Sequence, residues 1–243
     1  MKRALSALLL GGLVACGNDF IEGWRVDRPR VLGARVEGAE VSWLVARTTR
    51  VEWAWAVCAD TKLDAPRCDT PVLGAGNGAT AGDVVTMDLG AAAAPERLLL
   101  AAFCAEGIAT LSPADFTASC AGGGAPLLAS VKIGAPQPQP APPVLLLDGE
   151  APGGCVAPGS PHALGFTFRA EDRDPGETLL ASTTVTDGEL DRQYTALEPH
   201  EAAPRDVTIA WTAPAAAGTA TAYLVLRDGR GGAAFTRITV CVR

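Results

Sequence analysis

Few side chains in this sequence have the types and spacing that catalysis requires. The chain contains two histidines, His162 and His200, and each follows a proline in a segment typical of a loop. Ser160 is two residues from His162, but a Ser-His-Asp site requires the serine to lie against an oriented imidazole. The chain also lacks a G-x-S-x-G nucleophile motif. We therefore expect solvent-exposed loop histidines and no catalytic residue.

A glycine-rich stretch, GAGNGATAG at 74–82, contains the pattern G-x-G-x-x-A. A dinucleotide site needs a strand before such a pattern and a helix after it, so that the helix N-terminus meets the phosphates. Here DVVTMDL follows, which has the composition of a strand. The stretch is therefore interpreted as a flexible hairpin loop.

Tryptophans raise the alternative of sugar binding, because aromatic faces stack on sugar rings. Trp53 and Trp55 alternate along VEWAWAVC, so they share one face of a strand with Val51 and Val57. That pattern favours core packing over a binding surface. Trp24 lies near the start of the chain, and we expect it to be exposed or close to a membrane.

The charge balance restricts the partners. The chain has 27 acidic and 20 basic residues, a net charge of −7. A surface of this sign repels phosphate backbones, so nucleic acid is excluded as a natural partner. Cationic ligands and divalent ions remain open.

The elements that would position these residues are β-strands throughout. Runs of five to ten apolar or alternating residues are separated by Gly, Pro and Asp turns, and no amphipathic helix of three turns is present. APQPQPAPP at 135–143 predicts an extended polyproline II spacer. We place the linker at 134–143, one β-sandwich domain at 24–133 and a second at 144–243.

The N-terminus resembles the signal of bacterial lipoproteins. Lys2 and Arg3 precede an apolar run of 11 residues that is too short to span a bilayer, and the run ends in Leu13-Val14-Ala15-Cys16. All four positions match the lipobox of that family. The resemblance implies a signal peptide at 1–15, cleavage before Cys16 and attachment of acyl chains such as palmitate to that residue.

The anchor has consequences for location. Two or more acyl chains hold a protein stably on a membrane, which makes a transmembrane helix unnecessary. Gly17 follows the cysteine, whereas Asp at that position usually retains members of the family on the inner membrane. We therefore expect a lipidated tether at 16–23 and an outer-membrane protein facing the periplasm or the cell surface. The tether spans at most about 25 Å, so the first domain should lie near the membrane and the second further out.

Six cysteines remain after lipidation, and an oxidising compartment favours their pairing. No Cys-x-x-Cys is present, so neither a zinc ribbon nor a thioredoxin-type redox pair is indicated. Local pairs Cys58–Cys68 and Cys104–Cys120 are the simplest, and a direct Cys58–Cys104 pair is the competing interpretation.

The second half resembles bacterial immunoglobulin-like repeats of the PKD and cadherin-like kind. The resemblance covers about 100 residues and is carried by a W-x-A-P strand end at Trp211 and Pro214, a strand with Tyr223, and a D-G-x-G-G hairpin from Asp228. It implies a β-sandwich in which Cys155 and Cys241 meet at one pole. The first half resembles the same class more weakly, through Trp53 and Cys58.

The same resemblance suggests a calcium site. In such a sandwich the loop EDRDPGE, with Glu171, Asp172 and Asp174, shares a pole with the hairpin of Asp228. Calcium binds six to eight oxygen ligands, several of them carboxylates. The full family motifs are missing, and the alternative is that these residues only form turns.

These observations predict an all-β protein of two immunoglobulin-like sandwiches, with no cofactor except a possible calcium ion. We expect a lipoprotein of the cell envelope that is not an enzyme and acts as a binding or structural module, with an envelope protein or a glycan as partner. A carbohydrate- or peptidoglycan-binding role is the alternative within binding, and a hydrolase is the alternative of another class.

Overall fold

The structure is a computed structural model of the 243-residue chain. It describes residues 23–59, 66–69, 71–94, 97–133, 139–229 and 231–243. Cys16, the predicted signal peptide and the first half of the predicted linker lie outside the described residues. Within these ranges no helix has the length and hydropathy to cross a membrane.

The fold is all-β, as predicted. Two short 3₁₀ helices, at Gly90–Ala92 and Ala170–Asp172, interrupt an otherwise continuous succession of strands. In chain order the described strands are β1 Arg30–Glu37, β2 Glu40–Ala46, β3 Arg50–Cys58, β4 Val72–Ala81, β5 Val84–Asp88, β6 Arg97–Cys104, β7 Ile108–Ser112, β8 Thr117–Ala121, β9 Leu127–Ile133, β10 Leu146–Leu147, β11 Cys155–Val156, β12 Pro161–Phe168, β13 Leu179–Val185, β14 Glu189–Leu190, β15 Tyr194–Leu197, β16 Arg205–Thr212, β17 Gly218–Arg227 and β18 Ala233–Val242.

The first sandwich packs a three-stranded sheet, β1-β2-β5, against a four-stranded sheet, β4-β3-β6-β9. Its core is formed by inward-facing residues of both sheets, among them Trp43 and Phe103, whose rings meet edge to face at 5.5 Å. Trp55 belongs to this core, and Trp53 packs against it partly buried. The core-facing interpretation of both tryptophans is therefore confirmed.

The hairpin β7-β8 covers the outer face of the four-stranded sheet. Leu98 and Leu100 of β6 point away from the main core and pack with Leu111 and Phe116 of this hairpin. Disulfide Cys104–Cys120 joins β6 to β8, and Cys58–Cys68 joins the end of β3 to a segment whose Cys68 amide donates to the Pro113 carbonyl at 2.8 Å. The two disulfides therefore fix the hairpin onto the sheet.

The second sandwich has sheets β10-β12-β16-β14 and β11-β18-β17-β13-β15. Leu164, Phe168 and Trp211 are among the buried residues between them. Strand β11 runs parallel to β18 with Cys155 opposite Cys241, and these residues form the third disulfide. All three pairs are those that the sequence analysis favoured, and the competing Cys58–Cys104 pair does not form.

The described chain starts on the second sandwich, not on the first. Trp24 and Val26 form two backbone hydrogen bonds with Val185 of β13, at 2.9 and 2.8 Å. The Trp24 ring packs partly buried against the core of the second sandwich. Trp24 is therefore not exposed, and its closeness to a membrane stays a prediction. The contact of these first described residues with the second sandwich was not expected from the sequence.

The two sandwiches meet through a buried junction. We use this name for the apolar cluster of Val26, Leu44, Ala46, Tyr223 and Val225, with Leu32 and Phe235 packed against it. Members of the cluster come from β1 and β2 of the first sandwich and from β17 and β18 of the second. The outer face of β17 is thus covered by the first sandwich.

Polar contacts surround this junction. The Arg47 amide donates to the Tyr223 hydroxyl at 3.1 Å, and burial raises the pKa of that phenol. The Arg237 guanidinium forms an ion pair at 2.5 Å with Asp83, whose side chain is only 1% exposed. Arg227 donates to the Leu32 carbonyl, and burial lowers the pKa of its guanidinium. Arginines therefore join the two sandwiches at several points.

The described part of the linker, 139–143, lies along the second sandwich. The Asp172 carboxylate accepts from the Ala141 amide at 3.0 Å, and the Ala233 amide donates to the Gln139 side chain at 2.9 Å. Arg35 of the first sandwich donates to the Pro140 carbonyl. The described linker residues are thus bound by both sandwiches, and the extended polyproline II conformation of the whole segment stays a prediction.

We predict that Arg237→Met destabilises the junction. It leaves the Asp83 carboxylate buried without its counter-charge, which costs about 2–3 kcal/mol, toward the low end for broken buried pairs because Arg237 is half exposed. Chemical denaturation of the purified chain measures the loss. Arg67→Met, which breaks the exposed pair with Asp69, is the control and should cost less than about 0.5 kcal/mol. Equal effects of the two variants would contradict the structural role of the junction.

Candidate functional site

Ser160, His162 and Asp148 form a hydrogen-bonded chain in the second sandwich. The Ser160 Oγ and His162 Nε2 are 2.7 Å apart, and His162 Nδ1 and Asp148 Oδ2 are also 2.7 Å apart. These are the distances and the atom order of a Ser-His-Asp triad. Ser160 and His162 are only two residues apart in the sequence, so their closeness was expected. No sequence motif indicated that Asp148 would join them.

Local backbone geometry positions the three side chains. His162 is the second residue of β12 and lies opposite Trp211 of β16, with ring centroids 5.9 Å apart. Asp148 occupies the turn after β10 with φ of 52°, and its second carboxylate oxygen accepts from the Ala163 amide at 2.8 Å. The Asp148 amide donates in turn to the Ala163 carbonyl. The imidazole is therefore fixed between two strands and a turn.

The surroundings of Ser160 differ from those of a nucleophile. The single hydroxyl proton of Ser160 has two acceptors within reach, His162 Nε2 and the Ala157 carbonyl. A general base must accept the serine proton, so the Ala157 carbonyl competes with His162 for it. The two nearest backbone amides are also engaged, Gly159 with the Pro214 carbonyl and Ser160 with the Ala157 carbonyl. An oxyanion would therefore find neither amide available, and the arrangement is suited to fixing a loop.

The charge at Asp148 follows from the same contacts. The hydrogen bond from His162, aided by that from the Ala163 amide, lowers the pKa of Asp148 below its ordinary value. The ionised carboxylate is thus the form that holds the imidazole. The other histidine, His200, is exposed and takes no part in the hydrogen bonds between Ser160, His162 and Asp148.

The acidic residues proposed for calcium do not converge. Asp172 is bound by Arg169, with an Oδ1 to Nη2 distance of 3.1 Å, and by the Ala141 amide. Asp228 closes its own hairpin by accepting from the Gly232 amide at 2.8 Å. Asp174 forms a turn with Glu177, and Glu171 lies 3.8 Å from the Arg169 guanidinium.

No three acidic, histidine or cysteine side chains in the described ranges are grouped so as to hold a metal ion. The predicted convergence on a calcium ion is therefore wrong. The alternative interpretation, that these residues shape turns, agrees with their contacts. Asp172 has a further role that the alternative did not include, because its carboxylate also accepts from the Ala141 amide of the linker.

The glycine-rich stretch is a strand, not a hairpin loop. Strand β4 pairs with β3 so that Gly76 lies opposite Trp55 and Gly78 opposite Trp53. A Cβ atom on Gly78 would lie 2.5 Å from the Trp53 ring, and one on Gly76 would lie 2.8 Å from the Trp55 ring. Glycine is therefore required here by the indoles that cross the strand. In the sequence, G-x-G-x-G and W-x-W have the same two-residue period, and this match was a signal that the glycines form a strand beside the tryptophans.

A cavity of about 670 Å³ opens between the start of β1 and the loops that follow β6 and β8. Arg28, Arg30, Asp27 and Glu106 line it, together with the glycines that follow Cys120. The Nε atom of Arg30 is buried without a hydrogen-bond partner, and Nη2 donates to the Gly23 carbonyl at 2.9 Å. Arg30, which lines the cavity, thus has one guanidinium donor that is buried and unpaired.

Comparison with known proteins gives little further information. No protein family model matches the chain, and no curated protein matches it. Among solved structures it is similar to a transglutaminase of red sea bream, with 14% identity, a TM-score of 0.33, and 90% of this chain and 32% of that one covered. It is also similar to an Escherichia coli alpha-2-macroglobulin activated by porcine elastase, with 11% identity, a TM-score of 0.29, and 90% of this chain and 22% of that one covered. The chain thus spans about a third or less of these proteins, and the scores are too low to carry an argument.

We predict that Asp148→Asn destabilises the protein at neutral pH and not in acid. The folded pKa of Asp148 is depressed, so the ionised carboxylate contributes stability above the pKa of the unfolded chain, and this contribution disappears as the pH falls through the folded pKa. Denaturant unfolding from about pH 6 down to pH 3 should show the wild type and the variant converging. The exposed Glu150→Gln is the control. A constant difference at every pH would contradict the assignment.

Proposed function

We propose that this protein is a lipid-anchored protein of the bacterial cell envelope that acts as a non-catalytic binding or structural module. The proposal rests on the lipobox match at Leu13-Val14-Ala15-Cys16, which implies acylation of Cys16. Three disulfides agree with an oxidising compartment such as the periplasm.

The observation that carries the structural role is the buried junction. A protein that binds its ligand by closing a hinge between two domains needs a mobile contact between them. Here an apolar cluster, a buried ion pair and the bound linker residues connect the two sandwiches. Such a body is suited to hold a fixed distance and orientation relative to its anchor.

The position of the first described residues supports a membrane-proximal junction. Gly23 is seven residues after Cys16, which allows at most about 25 Å of extended chain. Trp24–Val26 lie against β13 of the second sandwich, while Arg30 starts β1 of the first. Both sandwiches would therefore lie beside the membrane, rather than one behind the other.

The hydrogen bonds around Ser160 favour a structural role over the hydrolase alternative. The Ala157 carbonyl competes with His162 for the serine proton, and the backbone amides of Gly159 and Ser160 are both engaged. The arrangement instead stabilises the loop between β11 and β12. We therefore keep the non-catalytic role as the proposal.

Acylation of Cys16 is the first test. In cells grown with a fatty-acid probe, the wild-type protein should be labelled and recovered with the outer membrane, whereas Cys16→Ser should lose the label because the acylated thiol is removed. Cys58→Ser is a matched control that removes a disulfide cysteine and should leave labelling unchanged. Labelling of Cys16→Ser at the wild-type level would contradict the anchor.

A second candidate function is binding of peptidoglycan or an acidic glycan through the cavity beside β1. Two arginines that line the cavity, Arg28 and Arg30, favour it, because a guanidinium recognises carboxylates with two parallel hydrogen bonds. Both residues are near the predicted anchor. Asp27 and Glu106 would add selectivity for a ligand that also carries an amine, as peptidoglycan stem peptides do.

Sedimentation with purified peptidoglycan tests this candidate. We expect the soluble chain from residue 17 to co-sediment and Arg30→Gln to reduce the bound fraction at least fivefold, because the charged donor is lost. Arg50→Gln, at an exposed arginine paired with Glu52, is the control and should bind as the wild type does. No co-sedimentation of the wild type would exclude this candidate without affecting the lipid anchor.

A further inference from the structure

Strand β4 is an edge strand with no partner on its outer side among the described strands. In its sheet it pairs only with β3. A free edge presents a row of backbone donors and acceptors, to which another strand can add. Natural proteins usually protect such edges by short length, by charged side chains or proline, or by a covering segment.

The other described edge strands carry such protection. Strands β10, β11 and β14 have two residues each and β15 has four. Strand β5 is five residues long and ends in Asp88, while β9 contains Lys132. Strand β1 carries three charged residues and lies under the second sandwich. Strands β7 and β8 have five residues each and pair with one another.

Strand β4 lacks these features, and its register is irregular only at Leu73, near its start. It is ten residues long, VLGAGNGATA, without a charged residue or a proline. At its start Val72 and Leu73 are 42% and 43% exposed, which is high for large apolar side chains. Of the edges that the structure describes, β4 is therefore the long and uncharged one.

The tryptophan–glycine pairing also makes this edge accessible. The indoles of Trp53 and Trp55 lie across Gly78 and Gly76, so one face of β4 has no side chains of its own at these positions. A strand added beside β4 would meet the edges of the two rings and a flat backbone. The buried indole of Trp55 and the half-buried one of Trp53 would then be covered further.

We propose that two copies of this chain associate through β4, in an antiparallel pairing that joins their four-stranded sheets into one sheet of eight strands. A two-fold axis brings the same edge of each copy together, so the donors and acceptors of β4 are complementary to themselves. Residues 74–81 of β4 pair without interruption with β3, so each copy offers a regular edge of eight residues and the pairing can form about eight interchain hydrogen bonds. Asn77 lies beside the middle of β4 and hence near the axis.

Among the described edges, β4 is the one at which a second copy meets the least charge repulsion. Each chain has a net charge of −7, so two copies repel one another over most of their surfaces. The ten uncharged residues of β4 form a contact in which no like charges face each other. The pairing does not require the lipid anchor, although an anchor in the same membrane would raise the local concentration.

The test is the mass of the soluble chain from residue 17, measured by sedimentation equilibrium over a range of concentrations. We expect a reversible dimer for the wild type. Asn77→Lys and Asn77→Asp place like charges beside the axis and should each weaken association at least tenfold. Asn77→Ala should associate as the wild type does, and so should Thr239→Lys, which adds the same charge at an exposed position of β18.

The thermal midpoint of each variant confirms that the fold is intact, since Asn77 is exposed and away from the tryptophan rings. A photo-crosslinking residue at position 77 in intact envelopes should give a band of twice the chain mass. A monomer at every concentration would overturn the proposal. A crosslink from position 77 to a different protein would assign the edge to a foreign strand and would equally overturn pairing between copies.

Discussion

The burial of Tyr223 and Val225 against the first sandwich is the contact on which the arrangement of the molecule depends. Strand β17 has apolar residues on both faces: Ala222, Leu224 and Leu226 enter the core of the second sandwich, while Tyr223 and Val225 enter the junction. The exposed face of a typical sandwich strand is thus used here to hold a second domain. Without this contact, Asp83, Arg47 and the linker would lose the partners that they find across the junction.

The sequence predicted much of this fold, because strand signals and cysteine spacing are local. The apolar and alternating runs form strands in both halves, as expected, and the disulfides follow from short loops and from one pole of the sandwich. The short strands β11, β14 and β15 have too few residues for an alternating pattern. Strand β4 was missed because Gly and Asn are normally depleted in strands, whereas here the glycines leave room for the tryptophan rings of β3.

The junction and the linker could not be predicted with the same rules, because they depend on contacts between residues far apart in the chain. A signal was nevertheless present in AYLVL of β17 and LLLAAFC of β6, two runs without polar alternation. Such runs indicate strands that are buried on both faces. In β6 the hairpin β7-β8 covers the second face, and in β17 the first sandwich does. The calcium hypothesis failed for a related reason, since Arg169 neutralises Asp172 from within the same loop.

The proposed role as a fixed module depends on the two sandwiches forming one body. Small-angle X-ray scattering of the soluble chain from residue 17, extrapolated to zero concentration so that the monomer is observed, measures this directly. We predict a pair-distance distribution with a single maximum and a scattering curve that the described arrangement fits. The account that the two sandwiches form one body would be contradicted by a second maximum. It would also be contradicted by a largest dimension that fits only two sandwiches placed end to end and separated by an extended segment 134–143.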